Sequence, residues 1–260
     1  MDKKEFLLHS IIRAYIEQCE PIGSSQLKSM YDISYSPATI RGYFKKLGDE
    51  GYLAQEHISS GRTPTIVALK EYWANRLNFD LPIVDYDKLQ VLSRNMGLSV
   101  FIQQYHENTL QRVLNIEDLY MILEFTSFSV TIKYNKALYK FVNDMSNIDL
   151  LDILDISKQV GAVNLHDELE KYIQKKEFGI VNIKNFLRIA VHYDLDEKII
   201  NDFMQGSIMQ DLQEGLYFEN MLPSGYMGIC HDTFIDKQKV KVLVVGEMNN
   251  DYEYFYKGII

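Results

Sequence analysis

Ser36-Pro37-Ala38-Thr39-Ile40-Arg41-Gly42-Tyr43-Phe44-Lys45-Lys46-Leu47-Gly48-Asp49-Glu50-Gly51 carries the signals for both of its own ends. Ser36 offers a hydroxyl to the N–H groups that a helix start leaves free. Pro37 stands at the first helical position, where its missing N–H costs nothing. Gly51 suits the residue just past a helix end, which often needs positive φ. The stretch therefore predicts a helix over 37–50. Ile40, Phe44 and Leu47 recur at helical spacing, and Tyr43 widens their face. The opposite face carries Ala38, Arg41, Gly42, Lys45 and Lys46, with Thr39 at the border. A helix lying in the DNA major groove needs that division. Acidic groups would repel phosphate, whereas Arg and Thr reach base edges and Lys neutralises the backbone. Taken alone, the pattern also describes an ordinary amphipathic surface helix, so the neighbouring segments decide.

Residues 2–19 predict a first helix on the stripe Phe6, Leu7, Ile11, Ala14 and Tyr15. Glu20-Pro21-Ile22-Gly23 ends it and supplies a short extended segment. Ser24 or Ser25 then caps a short second helix carrying Leu27 and Met30. After Gly51, residues 52–55 and 62–65 form the arms of a hairpin, with Ser59-Ser60-Gly61 at its turn. Helix, short helix, helix and hairpin make a winged helix-turn-helix. Its DNA-facing set is Ser25, Gln26, Ser36, Ala38, Thr39, Arg41, Gly42, Lys45 and Lys46, joined by His57 and Arg62 from the wing. The competing reading for Arg41 is a surface ion pair with Asp49 or Glu50. In this setting base contact is favoured, because Arg is the commonest specific reader of base edges.

The whole chain bounds these readings. Its 260 residues, 47% hydrophobic and 24% charged, have the composition of a globular protein with real cores. The net charge of −9 argues against nucleic acid as a partner until its distribution is considered. Residues 1–78 hold ten Lys/Arg against nine Asp/Glu, so the remainder carries a net charge of −10. Cations gathered on one helix and one hairpin are compatible with DNA. Cys19 and Cys230 suggest neither a disulfide framework nor a zinc pattern. No apolar run of membrane-spanning length and no signal-type leader stands out, which leads to the expectation of a cytoplasmic protein with no membrane partner.

Beyond the head, residues 66–78 predict a fourth helix, and Asp80-Leu81-Pro82 marks a domain boundary at about 79–85. Helix is expected over roughly 86–114. Strands follow at 119–125, 128–134 and 137–142. Helical periodicity returns over 149–204, with breaks at Gly161 and Gly179, and strands are expected again at 225–230, 240–245 and 252–256. The fold class expected is α+β. A winged helix at 1–78 precedes an α/β sheet domain split into 79–148 and 206–260, with a helical insertion at 149–205. No phosphate loop, His-Glu-x-x-His or nucleophile elbow occurs, so an enzyme, a metal and a cofactor are not expected. Cys230-His231-Asp232 is the one tempting cluster, but neighbours on a strand point to opposite faces and cannot converge. Asp194-Leu195-Asp196-Glu197 lacks the spaced oxygens of a calcium loop and is better read as a solvated helix start.

Four motifs in order then identify a relationship. Pro21-Ile22-Gly23-Ser24, Ser36-Pro37-Ala38-Thr39-Ile40-Arg41, Leu47-Gly48-Asp49-Glu50-Gly51-Tyr52-Leu53 and Ser60-Gly61-Arg62-Thr63-Pro64 resemble the head of the HrcA family of bacterial heat-inducible transcription repressors. The resemblance implies a homodimer with an N-terminal winged helix, a GAF-like domain and an inserted dimerising domain. It further implies double-stranded DNA as partner, through an inverted-repeat CIRCE-type operator ahead of chaperone genes, and the GroE chaperonin as modulator. Two positions depart from the family pattern. Gly42 replaces the Asn that usually follows Thr-Ile-Arg, and the chain ends at Gly258-Ile259-Ile260, where the family tends to continue with a Gly-Pro-Thr-Arg-Met-type segment and a further helix. Two other readings are a metabolite sensor with its ligand in the sheet domain, and a winged helix used only for protein assembly.

Overall fold

The computed structural model describes residues 2–77, 83–104, 108–172, 178–210, 212–219 and 221–260, apart from Glu56, Ile58 and Ser59. It divides into two compact units: residues 1–104 with 178–260, and residues 105–177.

The first unit begins with α1 (Lys3–Gln18), α2 (Ser24–Tyr31) and α3 (Pro37–Asp49), followed by the short antiparallel pair β1 (Leu53–Ala54) and β2 (Thr63–Pro64). Local chemistry sets the ends of α3. Ser36 Oγ accepts from the Thr39 N–H at 3.1 Å. At the other end Gly51 turns at φ +82°, and the Tyr52 N–H reaches back to the Leu47 carbonyl at 2.8 Å. Ile40, Phe44 and Leu47 are buried with Leu7, Ile11, Ile22, Leu27 and Leu53 in one small core. Ile22 pairs with Arg62 through two backbone hydrogen bonds of 2.9 Å, which brings the Pro-Ile-Gly segment against the hairpin. Gly61 permits this approach, since a Cβ there would lie 2.6 Å from the backbone of Pro21 and Ile22. Gly61→Ala is expected to cost about 1–3 kcal/mol through this backbone clash, read as a lower denaturant midpoint.

Next come α4 (Ile66–Ala74), α5 (Tyr86–Asn95) and β3 (Ser99–Gln104). The chain then forms the second unit, with β4 (Leu110–Ile116), β5 (Tyr120–Phe125), β6 (Ser129–Lys133), α6 (Lys136–Asn143), α7 (Leu150–Gln159) and α8 (Val163–Glu170). It re-enters the first unit through β7 (Phe178–Val181), α9 (Ile183–His192), α10 (Glu197–Gln205), β8 (Gly215–Tyr217), β9 (Tyr226–Ile235), β10 (Gln238–Glu247) and α11 (Tyr252–Gly258).

The five strands of the first unit lie in the order β7-β3-β10-β9-β8, every neighbouring pair antiparallel. Both faces are covered, so the central strands are apolar on both sides. Val100, Ile102, Ile229, Val242 and Val244 pack with residues of α4, α5 and α11. Phe101, Cys230, Leu243 and Val245 pack with Phe186, Ile189 and Phe203 of α9 and α10. The head shares the first of these cores through Ile12, Ile16, Ala68, Leu69, Tyr72 and Trp73. The Trp73 indole donates to the Met248 carbonyl at 2.7 Å, and Arg76 pairs with Glu253 at 2.5 Å.

The second unit is an antiparallel meander, β4-β5-β6, with one face buried. Leu110, Val113, Met121, Leu123, Val130 and Ile132 pack there against Val142, Ile153, Leu154, Leu165 and Leu169.

Several expectations need correction. The helix expected to 114 ends at Asn95, because Gly97 turns the chain at φ +64° and Ser99 to Ile102 enter the sheet as a doubly buried strand. Residues 137–142 are helix, capped by the Asn135 side chain, which accepts from the Ala137 and Leu138 N–H groups. Residues 252–256 are also helix, with Asp251 as cap and Tyr252, Phe255 and Tyr256 buried at helical spacing. Gly179 sits within β7 and does not break a helix. The unit set into the chain spans 105–177 and contains a sheet, so it differs from the helical insertion expected at 149–205. Its strands lie in the stretch that the sequence places in the 79–148 part of the sheet domain. The expected boundary at 79–85 falls partly outside the described residues, and the head and the five-stranded sheet belong to one compact unit.

Candidate nucleic-acid interface

The polar face of α3 is open. Ser36, Ala38, Thr39, Arg41, Gly42, Lys45 and Lys46 are all exposed, as are Ser25 and Gln26 on α2 and His57 in the hairpin. Arg62 is half-buried. At Gly42 an added Cβ would meet nothing within 4 Å, so the missing side chain leaves free space on this face rather than a packing contact.

Not every side chain in the set is uncommitted. The Thr39 and Ser36 hydroxyls lie 2.9 Å apart, so the cap also holds the threonine. Gln26 Oε1 accepts from the Gly23 N–H at 3.3 Å, which makes Gly23 the N-cap of α2. Ser24, expected as a cap, is instead buried in the first turn, and its Oγ accepts from Arg41 Nη1 at 3.3 Å. Lys46 lies over the Tyr43 ring at 5.7 Å. Ser60 folds the hairpin tip by accepting from the His57 N–H at 3.0 Å and donating to the His57 carbonyl at 2.7 Å. Ser59, expected at the same turn, lies outside the described residues.

The ion pairs of the described residues draw on cations outside this face. Lys4 takes Glu50 at 2.8 Å, so Glu50 is not the partner of Arg41. Arg13, Lys70, Arg76, Lys88, Arg112, Lys171 and Lys239 also have carboxylate partners. Among the described residues no carboxylate lies within ion-pair distance of Arg41, Lys45, Lys46 or Arg62. The arrangement offers four unneutralised cations on one helix face and the hairpin beside it, with donors suited to phosphate and to base edges.

Other clusters assemble less. Cys230 lies in the core facing α9 and α10, whereas His231 faces α11 with its ring 5.4 Å from that of Tyr256, so the two do not converge. Burial of His231 without a hydrogen-bond partner pushes its pKa down from an ordinary 6.5 to about 4. The unfolded chain therefore takes up this proton first as pH falls. Stability is lost from about pH 6.5 down to about pH 4, by roughly 2 kcal/mol between pH 7 and pH 5. His231→Leu is expected to flatten that part of the unfolding free-energy profile. Asp196 caps α10 by accepting from the Lys198 N–H at 2.7 Å, in keeping with a helix start rather than a cation loop. Among the described residues one group could hold a metal: His166, Asp167 and Glu170 on α8, with ligand atoms within 4.8 Å of one another. Both carboxylates are exposed. The His-Asp-x-x-Glu spacing on one helix turn was the available signal for it. No helix among the described residues is long and apolar enough to cross a membrane.

Comparison with known proteins bears on the whole chain. A family model described as the HrcA C-terminal domain matches residues 73–260. The heat-inducible transcription repressor HrcA of Helicobacter pylori strain 26695 is 30% identical over 259 residues, covering 100% of this chain and 95% of that protein. Its counterpart from strain J99 is 29% identical with the same coverage. A solved structure described only as a hypothetical protein at 2.2 Å resolution covers 100% of this chain and 96% of its own, with a TM-score of 0.50 and 19% identity. That likeness speaks to fold alone. Sequence matches running from the head to the last strand and helix, together with the motifs that build α3 and its hairpin, show that this chain belongs to the HrcA family.

Proposed function

We propose that the chain is a heat-inducible transcription repressor acting in the cytoplasm. In this reading its head is a winged helix that binds double-stranded DNA, and α3 is the element that enters the major groove. The carrying observation is the gathering of Arg41, Lys45, Lys46 and Arg62 on one helix face and the hairpin beside it, where among the described residues no carboxylate lies within ion-pair distance of them. A net charge of −9 gives the chain no general attraction to phosphate, so affinity must be concentrated in these few groups. One head supplies few contacts, and two supply enough. A homodimer on an inverted-repeat CIRCE-type operator ahead of chaperone genes meets that need, because protein and operator then share a two-fold axis. The unit at 105–177 is the proposed dimerising element. Leu119, Val160 and Val163, each more than half exposed, support that role. The five-stranded sheet is the GAF-like regulatory part, and the GroE chaperonin is the proposed modulator that favours the active form.

Release on heat stress follows if the folded dimer becomes limiting. Mapping of DNA bound by the chain in cells, before and after a heat shock, tests this. The expected result is occupancy at inverted repeats ahead of chaperone genes that falls on heating. Occupancy elsewhere, or occupancy unchanged by heat, would count against it.

A further inference from the structure

The buried hydroxyl of Ser24 has an acceptor role that its place in the sequence did not announce. A serine two residues after Pro-Ile is expected to cap α2, yet Gly23 holds the cap position. Ser24 is 9% exposed, so its side chain is not available as a DNA contact. What its Oγ does reach is Arg41 Nη1, at 3.3 Å, across the angle between α2 and α3. Arg41 itself is exposed and has no carboxylate partner among the described residues. Ser24 is in turn held by its neighbours along the chain. Gly23 is locked by the Gln26 side chain, and Ile22 by two backbone bonds to Arg62.

We propose that Ser24 is a positioning residue that aims the Arg41 guanidinium at its base, and that it acts on sequence discrimination through Arg41 alone. The inference rests on the DNA-binding reading given above. Guanidinium has five N–H donors in a fixed fork. One bond spent on Ser24 leaves the other edge for a bidentate contact, with less rotamer freedom to lose on binding. An untethered arginine still attracts phosphate, since charge does not depend on aim. Loss of the tether is therefore felt as lost preference and not as lost general affinity.

The test uses the full chain and two labelled duplexes, one carrying a CIRCE-type inverted repeat and one of scrambled order. Binding is followed by fluorescence anisotropy for the wild type, Ser24→Ala, Ser24→Cys, Arg41→Ala and the Ser24→Ala/Arg41→Ala double variant. Ser24→Cys keeps the volume with a weaker acceptor, and so controls for packing. Both Ser24 variants are expected to lower the preference for the inverted repeat by about 3- to 10-fold, the effect of one lost hydrogen bond per head. The loss falls on the inverted repeat rather than on the scrambled duplex. With Arg41 already removed, Ser24→Ala is expected to change the preference by less than about 2-fold, because the two residues act as one unit. Unchanged preference in both Ser24 variants would overturn the inference, as would an equal loss whether or not Arg41 is present. A wild type with no preference at all is a distinct result: it removes the repressor reading, and the inference with it.

Discussion

Trp73→Ala is expected to lower the unfolding free energy by about 3–5 kcal/mol, the usual cost of emptying a large aromatic site in a core. In a chain of this length that corresponds to a fall of roughly 10 °C in melting temperature. Trp73 is 1% exposed and lies edge-on to both Tyr72 and Tyr252, at 5.0 and 5.3 Å between ring centroids. It comes from α4, the helix that follows the hairpin, yet its indole N–H ends on the Met248 carbonyl just past the end of β10. The substitution opens a cavity where the head meets the sheet and strands a buried carbonyl. Trp73→Phe separates the two losses, since it keeps most of the volume and leaves Met248 unpaired at about 1–3 kcal/mol. Circular dichroism during thermal unfolding measures both. Trp73 is the single tryptophan of the chain, so wild-type fluorescence reports on this junction directly. The head thus shares its core with the five-stranded sheet, so loosening of that sheet is expected to loosen the head as well.

The second large effect is on binding. Arg41→Ala is expected to cost about 1–3 kcal/mol per half-site and to fall mainly on the preferred sequence, as removal of a base reader does. Lys45→Ala provides the contrast. It is expected to weaken all duplexes alike and to reduce the salt dependence of binding by about one unit per head, because a phosphate contact releases a counterion and reads no base. Anisotropy titrations over a range of salt concentrations distinguish the two. Equal losses on both kinds of DNA from both substitutions would contradict the roles assigned to these side chains.

The head was legible because its signals are local. Ser36, Pro37 and Gly51 each act on the backbone within a few residues, and the structure uses all three as expected. Ser24 was not legible, because its partner is a side chain 17 positions away and a serine at a helix start looks like a cap. The sheet domain was harder for a related reason. Leu98-Ser99-Val100-Phe101-Ile102 is buried on both faces, so no period of two survives to tell strand from helix. Gly97 is the local signal for the break. At 252–256 four aromatics in five residues suggested a strand, but tertiary packing on the sheet overrode that propensity and helix won. Asn135 and Asp251 both cap helices in stretches whose composition suggests strands. The limits of the set-in unit at 105–177 depend on which strands pair, and pairing between distant segments has no local signature.

Binding of the purified chain to an inverted-repeat duplex and to a scrambled duplex of the same composition, at physiological salt, tests the DNA-reading head most directly. A preference for the inverted repeat of about 1,000-fold or more is expected, in the range usual for specific over non-specific binding, with two protomers bound per duplex. Equal affinity for the two duplexes would contradict it.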